Sequence, residues 1–241
     1  MEEFREFGFL GGRVRFKQPK RHRLSVVEVL FVSNLRGVKK GNRVVDLGAG
    51  FGALSILTAL IYPCEVWAVE RDPLMLELLE YNVKKNNLSG RINIVDADIR
   101  SVEEKLEKHT YDSVIMNPPF YPGSYLAQNP YHHESDTTLK DFVKSTAYLL
   151  KDGGKLNAII SAFRLIEMLF YMKDMNINPS HLRFFYPKKE RNAKIVRVYA
   201  VKNLKPVLVV EKPLIINQEN GEYTEEVRET FEKFYDIINR F

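Results

Sequence analysis

Arg43-Val44-Val45-Asp46-Leu47-Gly48-Ala49-Gly50-Phe51-Gly52-Ala53 is the stretch on which the fold turns. Its first five residues form a short apolar run rich in valine, as a buried parallel strand requires. The glycines that follow permit a tight backbone turn, and residues 53–61 then continue as an apolar helix. Outward from this unit the same alternation repeats. A second strand is read at residues 65–70, and Pro73 suits the first turn of a helix reaching about Lys85, with Leu74, Leu78, Leu79 and Val83 at helical spacing. A third strand is expected at 91–95, a charged helix capped by Ser101 with Glu104 three residues on, and a fourth strand at 114–116. Residues 120–136 read as a long loop rich in aromatics, His, Gly and Pro. A helix at 139–150 is expected to stop at Gly153-Gly154, followed by a strand at 155–160 and a helix at 163–175. Three β-like runs come next, at 182–186, 195–201 and 207–216, the last broken by Pro213. The acidic tail at 223–239 reads as a helix with Thr224 as its cap.

Strand and helix in alternation predict an α/β fold, a doubly wound Rossmann-like sheet that is mainly parallel with antiparallel strands near the C-terminus. Residues 1–40 read as a basic N-terminal cap segment and 41–241 as the Rossmann-like domain, the two forming one compact unit.

The chain has 241 residues, 45% of them hydrophobic and 28% charged, which excludes a disordered, collagen-like or disulfide-stapled class. Cys64 is the single cysteine, so neither an intrachain disulfide nor a cysteine metal cage is available, and a cytoplasmic setting is expected. No apolar run approaches the roughly 18 residues of a membrane span, and the opening MEEFREF lacks the features of a signal peptide. The net charge of +5 is unevenly spread. Residues 11–43 carry +9 and residues 181–212 carry +7, which points to a polyanionic partner, nucleic acid first.

Ligands of such folds sit at the carboxyl ends of the strands, and the informative residues fall there. Gly48, Gly50 and Gly52 let the backbone approach a ligand at a helix N-terminus, although Gly48, Gly50 and Ala53 also satisfy a dinucleotide-binding pattern. Glu70 ends the second strand and is the carboxylate expected to take both ribose hydroxyls, common to NAD and S-adenosylmethionine. Asp46 separates the two: a carboxylate two residues before the first glycine suits a ligand with an ammonium and a sulfonium and repels a pyrophosphate. Asp98 follows the third strand and can accept from an adenine amino group; Asp96 competes for that role, and either can instead cap the following helix. After the fourth strand comes Asn117-Pro118-Pro119-Phe120. Two prolines remove two N–H donors, so the segment presents acceptors. The Asn117 side-chain oxygen and the Pro118 carbonyl can take both hydrogens of one planar amino group, freeing its delocalised lone pair, while Phe120 stacks on a base.

These motifs, in this order, resemble those of class I S-adenosylmethionine-dependent methyltransferases that modify exocyclic amino groups. The resemblance extends to the bacterial tRNA(Val) adenine-N6 methyltransferase family through Gln18-Pro19-Lys20, Arg23-Leu24-Ser25-Val26, His133-Glu134, Leu150-Lys151-Asp152-Gly153-Gly154, Arg164-Leu165-Ile166-Glu167, His181-Leu182-Arg183, Lys212-Pro213-Leu214 and Gly221-Glu222-Tyr223-Thr224. It departs at Arg21-His22, where the family tends to Gly-Tyr, and at Val27, where an Asp is usual and Glu28 stands next to it. The resemblance implies S-adenosylmethionine as cofactor and no metal. It implies Asn117, Pro118, Pro119 and Phe120 as the catalytic segment. Asp46, Gly48, Gly50, Gly52, Glu70 and Asp98 are the implied cofactor contacts, with Gln18 and Ser25 beside them. The implied substrate is the adenine beside the anticodon of a tRNA. Such a base must be unstacked to reach Asn117, the basic segments 11–43 and 181–212 would hold its phosphates, and Tyr121, Tyr125 and Tyr131 can line the entry or serve packing alone. Other acceptors (guanine N2 in ribosomal RNA, adenine in DNA, a protein glutamine) and a catalytically silent RNA-binding module are the alternatives.

Overall fold

In a computed structural model of the chain, the structure describes residues 4–20, 22–119 and 137–239. It opens on a hairpin of β1 (Phe4–Phe9) and β2 (Val14–Pro19). The turn between them runs through Leu10, Gly11 and Gly12, all at positive φ. Val14 and Phe16 point inward while Arg15 stays exposed, so the strand pattern was present in a segment read only as a basic cap. Helix α1 (Val26–Val32) follows, and then β3 (Arg43–Leu47), α2 (Ala53–Ile61), β4 (Glu65–Glu70) and α3 (Pro73–Lys85) take the bounds that the apolar pattern predicts. Two side chains at the end of α3 dock the hairpin: the Asn86 and Asn82 side-chain oxygens accept from the Arg15 and Lys17 amides at 2.9 and 2.6 Å.

Beyond β5 (Ile92–Asp96) the expected Ser101-capped helix is instead a short 3-10 turn at residues 99–104. Asp98 caps it, and Ser101 sits at a kink inside it. Next come β6 (Tyr111–Met116) and α4 (Leu139–Leu149), the latter closed at its start by a Thr138–Asp141 capping box. The glycine pair does not end α4. The chain turns extended at Leu150, and Gly153 and Gly154 lie within the long β7 (Leu150–Ser161), where a bulge against β6 absorbs them. A turn at residues 162–164 leads into α5 (Leu165–Asp174), then β8 (Ile177–Tyr186), β9 (Ile195–Lys202), β10 (Val209–Val210), β11 (Leu214–Ile215) and α6 (Glu225–Ile238). Thr224 stands at the N-cap of α6, but its hydroxyl donates to the Ile215 carbonyl rather than accepting from the helix.

Among the described residues the main sheet has nine strands in the order β10-β8-β9-β7-β6-β3-β4-β5, with β11 also pairing β8. Strands β5, β4, β3, β6 and β7 are mutually parallel, and β9 runs antiparallel to both neighbours. This is the mainly parallel doubly wound sheet expected from the sequence. Chain order reverses between β3 and β6, and sheets of this kind bind their ligands at that switch point, beyond the strand C-termini.

The strand period of two divides β3 between two cores. Val44 packs with α2 and α3 on one face; Val45 and Leu47 pack with α4 on the other. Asp46 shares the face of Val44 and is therefore sunk beneath α2. That alternation explains its environment.

Candidate active site

The glycine turn closes β3 onto α2, with Gly48, Gly50 and Gly52 all at positive φ. The steric demand is sharpest at Gly52, whose φ is +93° and where a Cβ would lie 2.5 Å from Leu79 Cδ1. At Gly48 a Cβ would press on the Phe142 ring at 3.2 Å. Asp46, just before the turn, is fully buried. Its Oδ2 accepts from the Ser55 hydroxyl at 2.6 Å, and its Oδ1 has no partner. Burial pushes the Asp46 carboxyl up to about 7; the Ser55 bond opposes this and the charge of Glu70 adds to it.

Glu70 ends β4 and bends back to the turn. One carboxylate oxygen accepts from the Gly50 amide, the other from the Arg71 and Asp72 amides, each at 2.8 Å. Asp98 is the cap of its 3-10 turn and lies between Arg71 at 2.8 Å and Arg100 at 2.6 Å. The Arg100 hydrogen bonds, joined by those of Arg71, hold its carboxyl at about 2. Asp96 is exposed and pairs in register with Glu70.

Asn117 to Pro119 leave β6 on the same edge of the sheet as the glycine turn, which follows the neighbouring parallel strand β3. The Asn117 Oδ1 is buried without a hydrogen-bond partner. Pro119 is anchored, because the buried Arg164 guanidinium donates to its carbonyl at 3.1 Å while pairing with Glu167 at 2.8 Å. Phe120, Tyr121, Tyr125, Tyr131 and His133-Glu134 lie outside the described residues, as does Arg21.

Gln18 and Ser25 hold the approach to α1. The Gln18 side-chain oxygen accepts from the Leu24 amide at 2.9 Å, and Ser25 caps α1 in a capping box with Glu28. His22, between them, stacks edge-on against Phe51 and brings its Nε2 within 3.8 Å of where a Gly50 Cβ would sit. Sequence reading missed Ser55, Glu28 and Arg164 as parts of this edge. Glu28 carried a signal, as one charge inside the apolar run of α1. Arg164 stood out only within the motif Arg164-Leu165-Ile166-Glu167, and nothing local signalled its bond to Pro119, 45 residues away.

The two basic segments divide. The loop at 187–194 joins β8 to β9 on the strand-end edge that carries Asn117, with Lys189, Arg191 and Lys194 exposed. Arg197 and Lys202 are buried: Arg197 pairs with Glu211 at 2.8 Å, and Lys202 donates to the Ala147 and Leu150 carbonyls. Lys39 and Lys40 precede β3 and Arg43 begins it, so all three lie at the opposite edge of the sheet. Among the described residues no helix is long and apolar enough to cross a membrane.

These residues fit S-adenosylmethionine. A buried carboxylate oxygen lacking a donor suits its ammonium, and the glycine turn lets backbone approach where a side chain would not fit. The model of the methyltransferase small domain family matches residues 23–176. A tRNA1(Val) (adenine(37)-N6)-methyltransferase of Haemophilus influenzae is 22% identical over 82% of this chain and 85% of its own length. A protein of the same name from Dyadobacter fermentans is 30% identical over about half of each chain, 51% of this one and 52% of its own. Among solved structures, a predicted O-methyltransferase from Agrobacterium tumefaciens superposes with a TM-score of 0.71 at 23% identity, covering 85% of this chain and 95% of that one. TYW2 of M. jannaschii, solved with AdoMet, gives 0.56 at 23% identity over 83% and 86%. With a family model that matches over half of its length and a Rossmann-like sheet carrying the glycine turn, the chain belongs to the methyltransferase small domain family and is an S-adenosylmethionine-dependent methyltransferase.

Proposed function

We propose that the chain methylates the N6 amino group of an adenine in tRNA, beside the anticodon. The observation that carries this reading is the unpartnered Oδ1 of Asn117 at the end of β6. A buried acceptor without a donor costs free energy, so a donor is the missing partner. An exocyclic amino group supplies one of its hydrogens to Asn117 and the other to the Pro118 carbonyl, and the nitrogen lone pair is thereby freed. When bound, S-adenosylmethionine supplies an electrophilic methyl group on its sulfonium. Asp46, the glycine turn and Glu70 hold it, and Asn117 and Pro118 orient the amine, so alignment carries most of the rate. Phe120 is the stacking partner in this reading.

The choice of tRNA rests on the named activity of relatives that match most of the chain, and on the cations at the Asn117 edge. Lys189, Arg191 and Lys194 would meet phosphates beside an extruded base. The buried free Cys64 suits the cytoplasm, where such a substrate resides. The test is incubation with labelled cofactor and total tRNA, ribosomal RNA or DNA, followed by nucleoside mass spectrometry. N6-methyladenosine in the tRNA fraction is the expected product. Label only in N2-methylguanosine of ribosomal RNA, in DNA or in glutamine would replace the proposal with that acceptor.

A further inference from the structure

S-adenosylmethionine carries a carboxylate as well as an ammonium, a sulfonium, ribose hydroxyls and an adenine. Asp46, Glu70 and Asp98, the side chains that suit its other groups, are all acidic, and like charge repels that carboxylate. A hydrogen-bond donor is needed, and the glycine turn has committed its own. The amides of Gly48 and Ala49 go to the Val69 carbonyl at 3.0 and 2.9 Å, that of Gly50 to Glu70 at 2.8 Å, and that of Gly52 to the Ala49 carbonyl at 2.9 Å. These amides are spent within the fold, so a side chain beside the turn is the natural donor.

The segment that follows β2 is built against the same turn. Asn82 on α3 is fully buried, and its carboxamide joins the two. Its Oδ1 accepts from the Lys17 amide at 2.6 Å, while its Nδ2 donates to the Lys17 carbonyl at 2.9 Å and to the Phe51 carbonyl at 2.8 Å. One side chain thus fixes β2 to the middle of the glycine turn. The Phe51 ring receives Phe16 and His22 edge-on, with centroids 6.0 and 5.3 Å away. The His22 amide closes a tight turn on the Pro19 carbonyl at 3.2 Å, and Gln18 holds the exit through the Leu24 amide. This framework brings the His22 Nε2 within 3.8 Å of where a Gly50 Cβ would sit. Arg23, next in sequence, is exposed, and its Nε donates back to the Lys20 carbonyl at 2.7 Å.

We propose that His22 is a cofactor-binding residue, whose imidazole Nε2–H donates to the carboxylate of S-adenosylmethionine beside Gly50. That N–H is a donor in the imidazolium and in one neutral tautomer, so the contact requires no particular charge state. The inference rests on the reading of the glycine turn as the cofactor site. It falls where the chain departs from the family pattern, so the resemblance gives His22 no role.

The test is calorimetry of the full chain with S-adenosylmethionine and with its decarboxylated form, which keeps the ammonium, sulfonium, ribose and adenine and lacks only the carboxylate. His22→Phe keeps a ring against Phe51 and removes the N–H. Affinity for S-adenosylmethionine should fall about tenfold or more, the effect of losing a hydrogen bond to a charged group. Affinity for the decarboxylated form should stay within about twofold, an effect of less than half a kcal/mol. A ring that only packs would change both alike. Should His22→Phe fail to fold, 15N-histidine spectra of the unaltered chain answer the same question. The His22 ring signals, assigned by their absence from His22→Gln, should shift further with S-adenosylmethionine than with the decarboxylated form. An equal fall for both ligands, no fall for either, or ring signals that respond to both alike overturns the proposal. Where Glu70→Ala weakens binding and His22→Phe does not discriminate, the turn stands as the cofactor site and only the role of His22 falls. Where neither variant changes affinity, the cofactor site lies elsewhere and both readings fall.

Discussion

The Glu70 carboxylate accepts the Gly50 amide hydrogen at 2.8 Å, tying the end of β4 to the middle of the glycine turn that follows β3. The residue expected to meet a ribose thus also shapes the turn expected to approach the rest of the cofactor. Glu70→Ala should therefore weaken S-adenosylmethionine binding at least tenfold, since a hydrogen bond to a charged group contributes about 1.5–3 kcal/mol. Isothermal calorimetry measures it directly, and unchanged affinity would reject the ribose role.

Asn117→Ala should separate binding from chemistry. It removes an acceptor used for the amino group and leaves the glycine turn intact. Cofactor affinity should stay within about twofold while methyl transfer falls by about two to three orders of magnitude, as when one preorganised polar group is lost. Single-turnover transfer of labelled methyl is the measurement, and activity equal to wild type would sink the mechanism.

Asp46 predicts a pH dependence. Its carboxyl titrates at about 7 in the folded chain against an ordinary 3.8, because burial penalises the charge. The cofactor-free fold is thus favoured while Asp46 is protonated, and this contribution is lost as pH rises from about 4 through about 7. An ammonium placed beside Asp46 favours the carboxylate, so cofactor binding should release a proton below neutrality. Affinity should climb between about pH 5 and pH 7, by at most roughly tenfold per unit. Calorimetry in buffers of different ionisation enthalpy reads the proton. Asp46→Asn should abolish both trends, and a flat wild-type profile would contradict the assignment.

Arg164 is 2% exposed and divides its guanidinium between Glu167 and the Pro119 carbonyl. Arg164→Lys keeps the charge but loses the planar fork, so it cannot hold both Glu167 and the Pro119 carbonyl. A loss of about 1–3 kcal/mol in denaturant melts is expected, together with a kcat lower by roughly tenfold as the proline segment loosens. Unaltered kcat in a folded variant would mean that the Pro119 carbonyl needs no anchor.

Neutralising Lys189, Arg191 and Lys194 together should weaken RNA binding for all sequences alike. The slope of log affinity against log salt should become shallower by about two to three units, close to one for each phosphate that is no longer neutralised. An unchanged slope would move the RNA interface away from the loop between β8 and β9.

Much of this was legible in the chain itself, for reasons that are local. The β3 run, the glycine turn and the Pro73 start of α3 obey rules of period and backbone freedom that hold over about ten residues, and their boundaries emerged as read. The misplacements were also local signals, overruled from a distance. Gly153-Gly154 resembles a helix stop, yet β7 begins at Leu150 because Leu150 pairs with Tyr111 across the sheet. Ser101 resembles a cap, but the Asp98 side chain takes the Arg100 amide first.

By itself the sequence determined the alternating fold, the order of Asp46, Gly48, Glu70, Asp98 and Asn117 along it, and the type of chemistry those residues suit. Each of these depends on residue type and on short-range spacing. The tertiary structure decided which groups face one another. It sank Asp46 under α2 beside Ser55, brought Arg164 to Pro119, and buried Arg197 and Lys202 out of the apparent basic patch. Pairings between residues tens of positions apart depend on how strands order in the sheet and on which face each side chain takes. No local pattern encodes that, because it follows from burying every apolar face at once.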